Sequence, residues 1–244
     1  MSKLYRLDKI LSGLGYGSRR EVQSLVSYGC VTLAGETIKR ADHKIPLDDF
    51  TQANLFIEDE IVDKFSPLTI ILNKPVGVVC SHKEAGVRIY DLLPLRWRRR
   101  DPAISTVGRL DKDTSGLLLL TDDGQLLHKI ISPKHQVTKT YKAVLDRPLR
   151  DDAEKIFASG TMMLESEDTP LLPAKLERID AQTCLVTISE GRYHQVRRMF
   201  AALDNHVNEL HRISVGGLTL GDLPEGEMRM ASAADIHAVF NPIA

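Results

Sequence analysis

Nine residues, Gly108-Arg109-Leu110-Asp111-Lys112-Asp113-Thr114-Ser115-Gly116, concentrate the chemistry of this chain. A guanidinium and two carboxylates alternate between residues 109 and 113, two glycines bracket them, and the run Leu117 to Leu120 follows at once. Four consecutive leucines have to be buried, so a carboxylate in this stretch sits on a tight bend at the mouth of a core. There, burial and a neighbouring Arg govern what the acid can do. Asp113-Thr114 can supply the ordinary turn-forming role of such residues, which leaves Asp111 as the candidate catalytic group. The element Asp113-Thr114-Ser115-Gly116 also approximates the aspartic-protease signature. That chemistry needs two carboxylates sharing one proton, and no second copy of the element exists.

A second constellation is Glu190-Gly191-Arg192-Tyr193-His194-Gln195-Val196-Arg197-Arg198-Met199. The plain reading of its three Arg, one His and one Gln is a solvated basic helix face. Against it, Val196 and Met199 flank the basic residues with core-type side chains. Arg197 then lies beside an apolar face, where a guanidinium needs an acid partner, and Asp111 is a plausible one. Lys139-Thr140-Tyr141 opens a strand whose Tyr either joins the core or offers a flat face to a base. Arg96-Trp97-Arg98-Arg99-Arg100 suits phosphate contact or an ordinary charged loop. The eight histidines show no metal-ligand spacing, and no Walker-type loop is present, so neither a metal site nor nucleotide-driven chemistry is expected.

The elements that must position these groups are legible around them. With 244 residues, 43% hydrophobic and 27% charged, the chain reads as an ordinary globular protein of one large domain or two smaller ones. It has no run of roughly 20 apolar residues and no signal-peptide core. Cys30, Cys80 and Cys184 are far apart and read as reduced thiols, so a cytoplasmic, non-membrane protein is expected. The net charge of −1 hides a local asymmetry. Up to Ile45 there are eight Lys/Arg (3, 6, 9, 19, 20, 39, 40, 44) against four acids (8, 21, 36, 42); from Pro46 to Asp63 there are six acids (48, 49, 58, 59, 60, 63) and no base. This sign change, followed by Ser66-Pro67, predicts a domain boundary near residue 65.

Before that boundary, Leu7, Ile10, Leu11 and Leu14 fall at helical spacing, and Gly13, Gly15 and Gly17 interrupt them. Ser18-x-x-Glu21 is a capping box for a second helix carrying Val22, Leu25 and Val26, ended by Gly29. A short hairpin around Ala34-Gly35 follows. After the boundary, Thr69 to Asn73, Leu117 to Thr121, Tyr141 to Leu145 and Leu185 to Ile188 read as strands, and Val196 to Leu203 as a helix. Without a strict strand-helix repeat or a Gly-x-Gly-x-x-Gly, an α+β fold on a mixed, largely antiparallel sheet is expected.

The N-terminal pieces Arg6-Leu7-Asp8-Lys9, Ser18-Arg19-Arg20-Glu21 and Gly29 to Gly35 resemble the S4 RNA-binding domain. Asn73-Lys74-Pro75-x-Gly77, Gly108 to Leu117, Lys139-Thr140-Tyr141 and Gly191-Arg192-x-x-Gln195-Val196-Arg197-Arg198-Met199 together resemble the RsuA-type rRNA pseudouridine synthases. The stretch Gly191 to Gly217 looks closest to the member acting on small-subunit (16S) rRNA. The resemblance implies an S4-like domain over residues 1–62, a linker at 63–67 and a catalytic domain over 68–244. It implies isomerisation of uridine to pseudouridine in ribosomal RNA without a cofactor, on free RNA or within an assembling small subunit, with no obligate protein partner evident. By that resemblance Asp111 is the essential carboxylate, as nucleophile or base at the sugar or the uracil ring. Arg197 pairs with it and Tyr141 stacks on the uracil. Arg6, Lys9, Arg19, Arg20, Lys74, Arg109 and Arg192 are the expected RNA contacts, the last two as phosphate or loop-ordering groups. The same chemistry on 23S rRNA, a catalytically silent ribosome-assembly factor, and a hydrolase pairing Asp111 with Asp113 or Asp122 are the alternatives.

Overall fold

The computed structural model describes residues 3–81 and 84–241. The chain divides into two compact units. The first holds the residues up to Leu68 together with Tyr90–Ser105 and Thr121–Asp123. The second holds Thr69–Ile89, Thr106–Leu120 and the chain from Gly124 onward.

In the first unit, strand β1 (Leu4–Arg6) runs directly into helix α1 (Leu7–Gly13), and α2 (Arg19–Ser27) follows. The capping box forms as the sequence predicts: Glu21 N–H donates to Ser18 Oγ, and Ser18 N–H to Glu21 Oε2 at 2.6 Å. Such a cap contributes about 1 kcal/mol. Strands β2 (Val31–Leu33) and β3 (Glu36–Thr37) form the hairpin, with Ala34 and Gly35 both at positive φ, the conformation a two-residue hairpin loop requires. Strand β4 (Lys44–Pro46) pairs with β1, while α3 (Asp49–Asn54) leads into β5 (Leu55–Ile57) and β6 (Glu60–Ile61), which complete a sheet of order β3-β2-β5-β6. Leu7, Leu11, Val22, Val26, Val31, Ile45 and Leu55 form its core, each contributing roughly 1.5–3 kcal/mol by leaving water.

The sequence assigns residues 90–105 to the catalytic domain, whereas in the structure they belong to the first unit. The cause is electrostatic and steric. Helix α4 (Leu95–Arg98) presents Arg96, whose Nη2 lies 2.8 Å from Asp63 Oδ1, and Arg100 Nε donates to Asp122 Oδ2 at 2.7 Å. Gly15, at φ +89, lets the Arg96 carbonyl approach so closely that a Cβ there would stand 2.0 Å from its oxygen. Arg98 donates to the carbonyls of Leu93 and Asp91. The Arg96–Arg100 run is therefore mostly an internal bracing element, with Arg98 and Arg99 exposed.

In the second unit the chain runs β7 (Thr69–Lys74), β8 (Ser105–Thr106), β9 (Thr114–Thr121), α5 (Gly124–Ile131), β10 (Lys139–Leu145), α6 (Ala153–Ala158), β11 (Lys175–Arg178) and β12 (Thr183–Ile188). Then come α7 (Gln195–Ala201), β13 (Val207–Val215), β14 (Leu218–Thr219), β15 (Met228–Met230) and α8 (Ala233–Phe240). The strands form one sheet of order β11-β12-β10-β13-β9-β7-β15, with β14 on β13 and β8 on β9. Strands β13 and β9 run parallel; the pairs β10–β12, β10–β13, β11–β12, β13–β14 and β7–β15 are antiparallel. This is the mixed, largely antiparallel sheet expected. Val196, Met199, Phe200 and Leu203 bury the apolar face of α7. Register sets the site: Arg212 on β13 pairs with Gly116 on β9 and with Tyr141 on β10. At Gly116, φ is +106 and a Cβ would stand 2.3 Å from the Arg212 carbonyl oxygen. Only glycine admits that approach.

Candidate active site

Asp111 opens the turn that leads into β9. Its carbonyl accepts the Thr114 N–H at 3.1 Å, closing the turn. The next carbonyl, of Lys112, accepts the Gly77 N–H at 2.7 Å. The Thr114 carbonyl accepts Lys74 Nζ at 2.8 Å. The Asn73-Lys74-Pro75-x-Gly77 segment thus braces the turn from beneath. Lys74 is fully buried, which corrects the expectation that it contacts RNA. Burial draws its ammonium below the ordinary lysine range, opposed by Cys80 and by the carboxylates of Asp111 and Asp113.

The Asp111 side chain is half-buried, and its Oδ1 lies 3.3 Å from His194 Nε2. The pairing expected with Arg197 is not made. Arg197 Nη2 lies 3.0 Å from Asp113 Oδ2 and also donates to the Asp113 carbonyl, while Nη1 donates to the Val207 carbonyl at 2.7 Å. Arg197 does meet an acid, but one that is 60% exposed, and its remaining hydrogen bonds go to two backbone carbonyls. Which acid it meets depends on how the turn lies against the start of β13, where Arg197 also holds the Val207 carbonyl. Asp113 is therefore more than a turn former.

Asp111 and Tyr141 share a cleft of about 900 Å³ with Lys139, Arg212, His194 and Leu210. Tyr141 is 9% exposed, and Arg109 and Arg192 line the same cleft. Lys139 is drawn below the usual lysine range by burial and then by Arg212. Polar atoms buried without a partner among the described residues include Thr114 Oγ1 in the turn, Arg197 Nε, whose guanidinium holds Asp113, and Arg212 Nη2 on a residue lining the cleft. A buried polar atom left without a partner calls for an explanation, and a catalytic role or a bound group that supplies the partner is one.

The basic cluster is neither a solvated face nor an open phosphate site. Arg192 donates to Glu190, Glu167 and the carbonyls of Thr169 and Pro170. Arg198 pairs with Glu167 at 2.9 Å and donates to the carbonyls of Tyr193 and Glu165. Gln195, buried, holds the Arg192 N–H and Glu190. Arg192 is thereby a loop-ordering group. Arg109 is 65% exposed and pairs with the exposed Glu84 at 2.9 Å, an ion pair worth little that leaves it available to a ligand. Sequence reasoning gave no role to His194, and Glu167 carried no local signal, because its partners lie 25 and 31 residues away.

Of the expected RNA contacts in the first unit, Lys9, Arg19 and Arg20 are exposed. Arg6 is bidentate to Asp8 at 2.9 and 3.1 Å. The carboxylate that a hydrolase would borrow from Asp122 is committed to Arg100 and to the Leu68 N–H. Cys80 and Cys184 are buried thiols, the latter pushed by burial up to about 12. No group of metal-ligating side chains occurs among the described residues, and none of their helices is long and apolar enough to cross a membrane.

The RNA pseudouridylate synthase family matches residues 68–202, the span that carries the Asp111 turn, Tyr141 and the Arg197 helix, and the S4 domain matches residues 6–50. The chain belongs to the RNA pseudouridylate synthase family. Ribosomal small subunit pseudouridine synthase A of Escherichia coli (strain K12) is 40% identical over 239 residues, 96% of this chain and 99% of that one. Its counterpart from Pasteurella multocida (strain Pm70) is 41% identical over 241 residues, covering 97% and 99%. A solved pseudouridylate synthase crystal structure superposes with a TM-score of 0.66 at 38% identity, covering 96% of this chain and 99% of the other. The pseudouridine synthase is thus an isomerase. The cleft, about 900 Å³, is of the size of small-molecule sites.

Proposed function

We propose that this synthase isomerises a uridine of small-subunit (16S) ribosomal RNA to pseudouridine, with Asp111 as the essential carboxylate. The observation that carries the reading is the Asp111 side chain at the head of a thrice-braced turn, opening into the cleft that Tyr141 lines. The identity to small-subunit synthases over nearly the whole chain supports the choice of RNA.

In the reaction the N1–C1′ bond breaks, the uracil turns, and C5 bonds to C1′. The C5 proton leaves and N1 takes one up, so the product is an isomer and no electrons are exchanged. The uridine first leaves its stack, at a cost of a few kcal/mol. Tyr141 offers the freed ring a replacement face. The Asp111 carboxylate attacks or abstracts a proton once the ribose is within reach. Arg197, on the far side of the turn, positions Asp111 through the backbone rather than touching the substrate. Lys9, Arg19 and Arg20 in the S4 unit anchor the RNA through phosphates, which orient a protein without reading sequence.

The test is pseudouridine mapping of both ribosomal RNAs from cells with the wild-type protein, with Asp111→Asn, and with none. One small-subunit position should lose its pseudouridine in the last two. The purified variant should bind RNA normally and lose at least about four orders of magnitude in single-turnover rate, roughly 5 kcal/mol of barrier. A position lost from large-subunit RNA would move the substrate to 23S. Full modification with Asp111→Asn would remove Asp111 from the chemistry.

A further inference from the structure

An exposed aromatic ring extends the active site outward. The Tyr193 ring stacks on the His194 ring at 3.9 Å with an interplanar angle of 15°, and His194 Nε2 in turn lies 3.3 Å from Asp111 Oδ1. The three side chains form one continuous ladder from the catalytic carboxylate to solvent. Its outer rung is 76% exposed, and both rings line the cleft.

The backbone beneath this ladder is held on both sides. The Tyr193 carbonyl accepts Arg198 Nη1, and the His194 carbonyl accepts the Arg198 N–H at 3.0 Å. Arg192, immediately before, is fastened to Glu190 and Glu167. His194 adopts the left-handed region, φ 48 and ψ 33, which non-glycine residues take up chiefly where their surroundings dictate it. The outer face of Tyr193 is therefore an aromatic plane carried on a held backbone and backed by the His194 ring. Rigid aromatic planes of this kind bind at low entropic cost.

Resting on the reading of the site as a uridine-isomerising centre, we propose that Tyr193 is a base platform, on which the nucleobase adjoining the target uridine stacks. Extruding the uridine leaves that neighbour with one bare face. An aromatic ring at the rim of the same cleft restores the missing stack. Because every base has a π-face, the platform accepts any neighbour and sets position rather than sequence. His194 links the platform to Asp111, so seating the neighbour also sets the distance from the carboxylate to the adjoining ribose.

The experiment measures single-turnover pseudouridine formation by the full chain on small-subunit RNA, free and in particles from cells lacking the protein. Wild type, Tyr193→Phe, Tyr193→Leu and Tyr193→Ala are compared, with urea midpoints to verify folding. The phenyl ring of the Phe variant should keep the half-saturating concentration near wild type. The Leu and Ala variants should raise it about tenfold to a hundredfold, the equivalent of one base stack, and by more than they lower the saturated rate. An Ala variant that saturates with the wild type, a Leu variant that binds as well as Phe, or a loss confined to the saturated rate would each overturn the platform. If the wild type forms no pseudouridine on either substrate, the proposed function falls first; if it does and the Ala variant matches it, only the platform falls.

Discussion

Arg197 Nη2 lies 3.0 Å from Asp113 Oδ2, and the same guanidinium ties the Asp113 carbonyl to the Val207 carbonyl at the start of β13. The arginine of the basic helix therefore clamps the backbone on which Asp111 stands. Arg197→Met would take a donor from each of these two carbonyls. We expect a loss of about 1–3 kcal/mol in stability and at least a tenfold fall in single-turnover rate. Asp113→Asn keeps both carbonyl hydrogen bonds and removes only an ion pair whose acid is 60% exposed. It should cost less than about 1 kcal/mol and leave the rate within a few-fold. Urea unfolding and tritium release from labelled RNA measure both; equal damage from the two variants would return the weight to the ion pair.

Lys74 gives a second separation of roles. Its ammonium bonds the Thr114 and Pro75 carbonyls at 2.8 and 3.0 Å, out of reach of solvent. Lys74→Met should lower stability by about 1–3 kcal/mol and slow turnover by loosening the Asp111 turn. RNA affinity and its salt slope should not change. A flattened salt slope in this variant would mean that Lys74 reaches phosphate after all.

The exposed cations of the S4 unit should behave in the opposite way. Replacing Lys9, Arg19 and Arg20 together by Gln should reduce the slope of log affinity against log salt by roughly 0.7 for each phosphate of single-stranded RNA that the variant no longer neutralises. The saturated isomerisation rate should hold. Point replacement is the right probe, because deleting residues 1–62 would strip residues 90–105 of the core they pack with. Binding titrations between low and moderate salt decide the matter, and an unchanged slope would remove these residues from the interface.

Asp8 makes the first unit sensitive to acid. The Arg6 side chain bonded to it holds its carboxyl below the usual carboxylate range, against the cost of burial. A depressed folded-state value stabilises the fold above the unfolded value, about 3.9. That contribution disappears as pH falls through the lower folded value. The gap in urea midpoint between wild type and Asp8→Asn should therefore be widest above about pH 5 and close as pH falls below about 4. A gap that stays constant across that range would show that the pair is not what the carboxylate contributes.

The sequence by itself determined whatever depends on neighbours a few residues apart. Ser18 and Glu21 cap α2 because both partners lie within one helical turn. Val196, Met199 and Phe200 bury one face of α7 because the helical period brings them together, and Leu117 to Leu120 had nowhere to go but the sheet. The motif around Asp111 was legible for the same reason: its bend, its acids and its core strand are contiguous. Tertiary structure alone decided which partners these groups meet. Arg197 could have faced Asp111 or Asp113, and its seat between the Val207 carbonyl and the turn, with β9 running parallel beside β13, selected Asp113. Lys74 has the charge to meet RNA, but β7, lying next to β9 in the sheet, buries it beneath the Thr114 carbonyl. His194 reaches Asp111 across 83 residues, and Arg96 and Arg100 are drawn to Asp63 and Asp122 rather than to phosphate. Hydrogen bonds and ion pairs act over about 3 Å, so their partners are settled by strand register and chain crossing, which no local spacing encodes.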